Sequence, residues 1–213
     1  MGRRSLPKVD KQVDLTHNFR TSEELPDAWS AQELFLRKAP LEIEVGTGKG
    51  LFLQRASEVF PDHDFLGIEV ARKYARFAAS RLAKKERRNA VVISGDALKL
   101  FAEWIPPQAA VAVHVYFPDP WWKKRHHKRR VMNEAFLRNV ERVLRSGGRL
   151  HFWTDVEEYY RPSLELIHEA TKLDGPHPVD EEAADHTLDY RTHFERRTRL
   201  AGLPVYRCEF IKP

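Results

Sequence analysis

The chain has 213 residues, of which 42% are apolar and 31% charged, and this composition excludes a wholly disordered polymer. Its single cysteine, Cys208, excludes an internal disulfide, and without a Cys/His constellation in the sequence we expect no bound metal. No apolar run approaches the roughly 20 residues that cross a bilayer, so we expect no membrane span. The lone cysteine fits a reducing cytosol, and we expect a cytoplasmic protein.

The net charge of +5 is unevenly distributed along the sequence. The tract from Lys123 to Arg130 reads KKRHHKRR, with six Lys/Arg and no acid. Residues 72–88 hold eight Lys/Arg against one Glu, whereas residues 155–189 hold eleven acids against two basic residues. Such segregation favours a polyanionic partner, either nucleic acid or an acidic membrane surface. A solvated surface run is the alternative.

Residues 1–30 carry scattered charges without sustained periodicity, so we expect an N-terminal arm over the core and a single domain over residues 31–213. From there, five short apolar runs of strand length alternate with helical patterns. The predicted strands cover residues 41–45, 64–70, 90–94, 110–117 and 149–154.

Apolar residues recur at helical spacing over 71–82, 136–144 and 156–167, and Gly147-Gly148 is a helix stop. Strands joined by helices predict an α/β fold, a doubly wound and mostly parallel sheet with helices on both faces. The apolar stretch LPVYRCEFI at 203–211 predicts a last strand.

The first predicted strand runs into a glycine-rich loop, EVGTGKG at 44–50, where such a sheet binds its ligand. A dinucleotide fingerprint would place a third glycine where Leu51 stands. Glu44 would repel a pyrophosphate, but it would attract the ammonium and sulfonium of S-adenosylmethionine. The charge therefore favours this methyl donor, and Gly46, which lacks a Cβ, would let the donor approach the backbone closely. A purely structural turn is the alternative.

Two more acids follow the next two predicted strands. Glu69 stands where an acid accepts both ribose hydroxyls in nucleotide-binding sheets, and Asp96 could face the adenine amino group. Either acid alone could be a helix cap or a surface charge. Three acids after three successive strands, beside the glycine loop, favour a methyltransferase that uses S-adenosylmethionine.

The fourth predicted strand ends in YFPDPWW at 116–122. Prolines on both sides of Asp119 stiffen the backbone, and Trp121 and Trp122 could form a floor for a flat heterocycle. A plain packing corner is the alternative. Followed directly by KKRHHKRR, the loop predicts a base pocket beside a phosphate-binding tract.

FPDPWWKKRHHKRR, together with EVGTGKG, GIEV and THFERR at 192–197, resembles the bacterial tRNA (guanine-N7-)-methyltransferases over about Leu41 to Phe210. The resemblance implies a Rossmann-like methyltransferase sheet, S-adenosylmethionine as donor, and methylation of N7 of guanosine 46 in the variable loop of tRNA. No obligatory protein partner is implied. The family usually has lysine where His193 stands and glycine where Thr198 stands.

The resemblance also implies site residues. Cofactor contacts fall on Glu44, Glu69, Asp96 and Asp119, and RNA or guanosine contacts on Lys123, Asp155, Thr192, His193, Phe194 and Glu195. Asp119 is the candidate catalytic residue. N7 carries a lone pair and no proton, so we expect Asp119 to orient and stabilise the guanine rather than to act as a base.

Several alternatives stay open. Asp155 could instead be the N-cap of a helix with Glu158 as its capping-box partner, and His114, among valines, is more typical of a core residue than of a ligand. The chain could methylate an exocyclic base amine, because Asp-Pro followed by an aromatic also suits that chemistry. It could also be a non-catalytic RNA-binding module.

Overall fold

The computed structural model of the chain describes residues 6–184, 186 and 189–213. The strands of the described residues are β1 (Phe19–Thr21), β2 (Leu41–Val45), β3 (Asp64–Glu69), β4 (Ala90–Ser94), β5 (Ala110–Tyr116), β6 (Leu144–Thr154), β7 (Asp174–Pro178) and β8 (Tyr206–Ile211). The α-helices are α1 (Ala31–Phe35), α2 (Leu51–Val59), α3 (Arg72–Ala83), α4 (Ala97–Glu103), α5 (Glu134–Val143), α6 (Glu157–Ala170) and α7 (His193–Leu200).

All eight strands join one sheet in the order β1-β4-β3-β2-β5-β6-β8-β7. The strands from β1 to β6 pair in parallel, whereas β8 pairs antiparallel with both β6 and β7. This arrangement confirms the predicted α/β class, and the five predicted strands correspond to β2 through β6.

Helices cover both faces of the sheet because its central strands are apolar on both sides; every residue of β4, for example, is buried. On one face Leu34, Phe101 and Phe136 of three helices pack on the sheet. On the other face Phe52 of α2 and Ala78 of α3 do so. The two helical layers leave the carboxyl ends of the parallel strands at one open edge.

Two predicted details differ. Helix α5 ends at Val143, before Gly147, because Leu144 is already extended and pairs with Ala110 of β5. Part of the expected arm is an edge strand, since β1 pairs with β4 and the Asn18 side-chain amide donates to the carbonyl of Ala90. The domain boundary at residue 30 stays a prediction.

A polar group lies inside the sheet and is satisfied there. His114 is buried, its Nε2 donates to Glu42 at 2.7 Å, and its Nδ1 lies 2.9 Å from the Tyr116 hydroxyl. The ring stacks on His151 with centroids 4.8 Å apart, and burial lowers the pKa of both imidazoles. His114 is thus a core residue, as is the buried Cys208.

Candidate functional site

Five predicted acids follow the carboxyl ends of five parallel strands. Glu44 and Glu69 lie at the ends of β2 and β3, while Asp96, Asp119 and Asp155 follow β4, β5 and β6. Parallel strands in one sheet end at the same edge, so the fold brings these side chains to a single edge. This edge is the candidate site.

The glycine loop after β2 has a backbone suited to close approach by a ligand. Gly46, Gly48 and Gly50 all have positive φ angles, of +80°, +55° and +71°. A Cβ on Gly46 would meet no atom within 4 Å, whereas one on Gly50 would lie 2.7 Å from Ala78 Cβ. Gly46 therefore borders open space, and Gly50 lets α2 pack on α3.

Glu69 holds this loop in place. One carboxylate oxygen accepts from the Gly48 amide at 2.8 Å, and the other accepts from the Ala71 amide at 2.9 Å. Because a carboxylate has about four lone-pair sites, both oxygens keep acceptor capacity for further donors.

Glu44 is the least solvated acid of the site. Glu44 is 3% exposed, and in the part of the chain that the structure describes its Oε2 has no hydrogen-bond partner. Burial, reinforced by the neighbouring charge of Glu69, raises the pKa of Glu44 to about 8 although Thr47 acts in the opposite direction. A buried carboxylate with an unpartnered oxygen beside an open glycine loop fits the positively charged end of S-adenosylmethionine.

Asp96 caps a helix, which is the structural alternative to a cofactor contact that the sequence left open. It is the N-cap of α4 and accepts from the Leu98 amide at 2.9 Å. The side chain is also exposed at the site edge. A contact with adenine stays a prediction.

The loop that carries Asp119 is tied down at several points. Asp119 accepts from the Trp121 amide at 3.2 Å, and Arg130 donates to the Pro120 carbonyl at 2.8 Å. Phe117 and Trp121 both adopt left-handed backbone, with φ angles of +49° and +46°. The result is a sharply bent, proline-stiffened loop with an exposed carboxylate.

The basic tract continues directly from this loop as a 3₁₀ helix over Lys124–Arg129. The Arg129 guanidinium lies 5.0 Å from the Trp121 ring, while Trp122 is 68% exposed. Lys123 and Lys128 are also exposed. The tract therefore places positive charge on the surface next to Asp119.

Asp155 does not cap α6. The N-cap of that helix is Val156, which has no side-chain cap, so the capping-box hypothesis for Asp155 and Glu158 is wrong. Instead Asp155 accepts from the Thr198 hydroxyl of α7 at 3.2 Å. This contact ties the end of β6 to α7.

Thr192 and Glu195, expected to contact RNA, both organise the start of α7. Thr192 is the N-cap and accepts from the Glu195 amide at 3.0 Å, while Glu195 accepts from the Arg191 amide at 2.7 Å. Glu195 is 3% exposed and pairs with Arg199 and Arg207 at 3.2 and 3.5 Å. Thr192 is thus the side-chain cap of α7, Glu195 binds the residue before that cap, and RNA contacts by these two residues stay predictions.

The other two predicted residues of α7 lie against the glycine loop, through Arg81, and against the Asp119 loop. His193 Nε2 lies 3.1 Å from Nη1 of Arg81, which also donates to the Lys49 carbonyl at 3.1 Å. Phe194 is 50% exposed and stacks on Phe117 with ring centroids 6.1 Å apart. Sequence reasoning missed Arg81, because nothing separates it from the other cations of residues 72–88.

Within the described residues, no group of three or more His, Cys, Asp or Glu side chains is arranged to hold a metal. In the same part of the chain, no helix is both long and apolar enough to span a membrane.

Comparisons with known proteins identify the family of the chain. Residues 38–208 match a family model described as a putative methyltransferase. The chain is 52% identical to the tRNA (guanine-N(7)-)-methyltransferase of Rhodopirellula baltica, an alignment that covers 100% of this chain and 80% of that protein. Its identity with the enzyme of that name from Myxococcus xanthus is 34%, covering 90% of this chain and 92% of the relative.

Two solved structures share the fold. The aminoglycoside resistance methyltransferase NpmB1 superposes with a TM-score of 0.58 at 18% identity, covering 87% of this chain and 95% of that one. Precorrin-6y C5,15-methyltransferase of Geobacter metallireducens gives 0.57 at 16% identity, covering 91% and 95%. Both are Rossmann-like methyltransferases, which confirms the predicted sheet.

Proposed function

Since the chain belongs to the tRNA (guanine-N(7)-)-methyltransferases, enzymes that methylate N7 of guanine in tRNA with S-adenosylmethionine, we propose how its residues divide that reaction. The donor half consists of the glycine loop with Glu44, Glu69 and Asp96. The acceptor half is the Asp119 loop with the basic tract. The observation that carries this division is the buried carboxylate of Glu44 beside Gly46, whose Oε2 has no hydrogen-bond partner among the described residues, on the same sheet edge as Asp119.

In the donor half, Glu44 would pair with the donor's positive charge, and Gly46, which has no side chain, would let the donor lie close to the backbone. Glu69 would accept hydrogen bonds from the donor's ribose hydroxyls. When bound, S-adenosylmethionine supplies a methyl group on a positively charged sulfur. The chain's task here is to fix that group in place and to neutralise the ammonium. The methyl transfer itself requires no proton from these acids.

Replacing Glu69 with alanine is expected to weaken donor binding roughly 10- to 100-fold, because a charge-assisted hydrogen bond contributes about 1.5–3 kcal/mol. The same change removes both amide contacts that hold Gly48 and Ala71. Isothermal titration with S-adenosylhomocysteine measures the loss, and tRNA affinity is the internal control. Donor affinity equal to that of the wild type would remove Glu69 from the donor site.

In the acceptor half, Asp119 would accept hydrogen bonds from the guanine N1–H and exocyclic amine. The bent loop fixes this carboxylate, so the guanine ring would be held with N7 directed at the donor half. A nearby carboxylate also stabilises the positive charge that alkylation places on the purine, more in the transition state than before it.

Two basic surfaces would bind the phosphates of tRNA. One is the tract around Lys123 and Lys128. The other is a cleft of about 670 Å³ between the arm and α3, whose lining holds four basic residues and two acids: Lys11, Arg20, Arg72 and Arg76 with Asp14 and Glu24. Two residues of this second surface, Arg72 and Arg76, belong to the positive run at residues 72–88.

We expect the double change Lys123→Gln with Lys128→Gln to weaken binding of all tRNAs alike. The slope of log K against log salt should fall by about 0.7–0.9 for each phosphate that is no longer neutralised. Arg72→Gln with Arg76→Gln tests the cleft in the same way. The matched control is Lys99→Gln with Arg138→Gln, which removes equal charge from the exposed surfaces of α4 and α5. If a test pair leaves the salt slope at the control's value, that surface is not part of the interface.

The reaction itself is tested by nucleoside analysis of tRNA treated with the purified protein. We expect 7-methylguanosine, and we expect it to disappear when guanosine 46 of the variable loop is replaced by adenosine. Methyl groups on an exocyclic amine would indicate the alternative chemistry, and binding without methylation would indicate an RNA-binding module. Because tRNA is the substrate, we place the enzyme in the cytoplasm.

A further inference from the structure

The first turn of α7 contacts both halves of the proposed site. Its residue His193 reaches the glycine loop through Arg81, which donates to the Lys49 carbonyl at 3.1 Å. The next residue, Phe194, stacks on Phe117 at the base of the Asp119 loop. Two adjacent residues therefore join the donor loop to the acceptor loop.

The contact between His193 and Arg81 requires a neutral imidazole. A guanidinium can only donate, so His193 Nε2 has to accept. Burial, together with the charges of Arg81, Lys49 and Arg196, lowers the pKa of His193 to about 4. The imidazole is therefore uncharged at neutral pH, and Nε2 is available as an acceptor.

We propose that Arg81 and His193 form a positioning pair, whose hydrogen bond fixes the first turn of α7 between the donor loop and the acceptor loop. This inference rests on the proposed division of the site. In this pair Arg81 acts through His193 and Lys49, and His193 acts as an acceptor rather than as a cation for RNA phosphate. An error of about 1 Å in the alignment of reacting groups can cost about 100-fold in rate, so the pair would act on the transfer step.

Substitutions at position 193 separate the two roles by chemistry. Glutamine keeps an acceptor oxygen, whereas lysine only donates and adds a second cation beside Arg81. We expect His193→Lys to slow single-turnover methylation roughly 10- to 100-fold, and His193→Gln to stay within about threefold of the wild type. Affinity for tRNA is expected to change less than about twofold in both, since phosphate contacts elsewhere dominate it.

If His193 instead binds an RNA phosphate, the two variants are expected to rank in the opposite order. Lysine would then preserve or strengthen tRNA binding and transfer, and glutamine would weaken both. That result overturns the positioning pair.

Arg81→Ala is expected to slow transfer like His193→Lys. The double variant is expected to be no slower than the slower single one, because both changes break the same hydrogen bond. Additive losses would contradict the pair, and Lys99→Ala on the exposed surface of α4 is the control.

A second measurement needs no activity. The pKa of the His193 imidazole, followed by NMR, is expected to rise from about 4 part of the way toward its ordinary value of 6.5 in Arg81→Ala, because burial still lowers it but the charge of Arg81 is gone. An unchanged titration would show that Arg81 does not face His193 and would overturn the inference. Should the wild type fail to produce 7-methylguanosine while this titration moves as expected, the proposed function fails and the contact stands.

Discussion

Replacing Asp119 with alanine is expected to slow methyl transfer by roughly 100- to 1,000-fold, the effect of losing one preorganised electrostatic contact in an active site. Affinity for tRNA is expected to change little, because phosphate contacts dominate it. The reason lies in the loop: its prolines and its bonds to Trp121 and Arg130 hold the carboxylate in one place. Single-turnover rates and filter binding measure the two quantities.

The dependence of the methyl-transfer rate on pH distinguishes two roles for Asp119, orientation of the guanine and general base catalysis. Guanine N7 carries no proton, so with saturating donor the wild-type rate is expected to be level between about pH 6 and 8.5. Asp119→Asn is the companion variant, since it keeps the size of the side chain but loses its charge. A rate that rises tenfold per pH unit in the wild type and becomes level in Asp119→Ala would show that Asp119 acts as a general base.

Glu44→Gln is expected to weaken donor binding strongly above pH 8 and to change its dependence on pH. With a pKa of about 8, Glu44 is largely protonated at neutral pH before the donor binds, and pairing with a cation requires the carboxylate. The wild-type affinity should therefore fall, by up to about tenfold per pH unit, as the pH drops below 8. We expect Glu44 to be ionised once the donor is bound, and the rate at saturating donor to stay level with pH.

The measurement needs a control for the donor itself, because its amino group titrates in the same range, near about 8. The ratio of wild-type to Glu44→Gln affinity at each pH removes that contribution. Calorimetry in buffers of different ionisation enthalpy is expected to show close to one proton released by the wild type at pH 7 and less by the variant. A ratio that does not vary from pH 6 to 9 would show that Glu44 is already ionised or is not in the donor site.

The positions of the site acids could be predicted from the sequence because they depend on local patterns. Apolar runs such as those of β3 and β4 are short and bounded by polar residues, and parallel strands bring their carboxyl ends together. β1 and β7 were not predicted: β1 has three residues, and β7 reads DGPHP, with neither strand composition nor alternation. Their pairing partners define them as strands.

Contacts between segments that are distant in the sequence could not be predicted from local patterns. Arg81 and His193 are separated by 112 positions, and nothing local marks either as a partner of the other. The N-cap role of Thr192 follows from a local pattern, since a threonine before a helical segment is typical of a helix start, whereas RNA contacts by Thr192 and Glu195 rest on the family resemblance alone. Local geometry and a binding role can coexist there, and only the first is observed.

The place of β8 in the sheet has a consequence for how the chain acquires its structure. β8 is the last strand in the sequence, yet it lies between β6 and β7 and pairs residues as far apart as Arg149 and Ile211. Closing so long a loop is slow, and until it closes the edge of β6 is exposed to other chains. Refolding should therefore lose yield as protein concentration rises, through intermolecular strand pairing at β6.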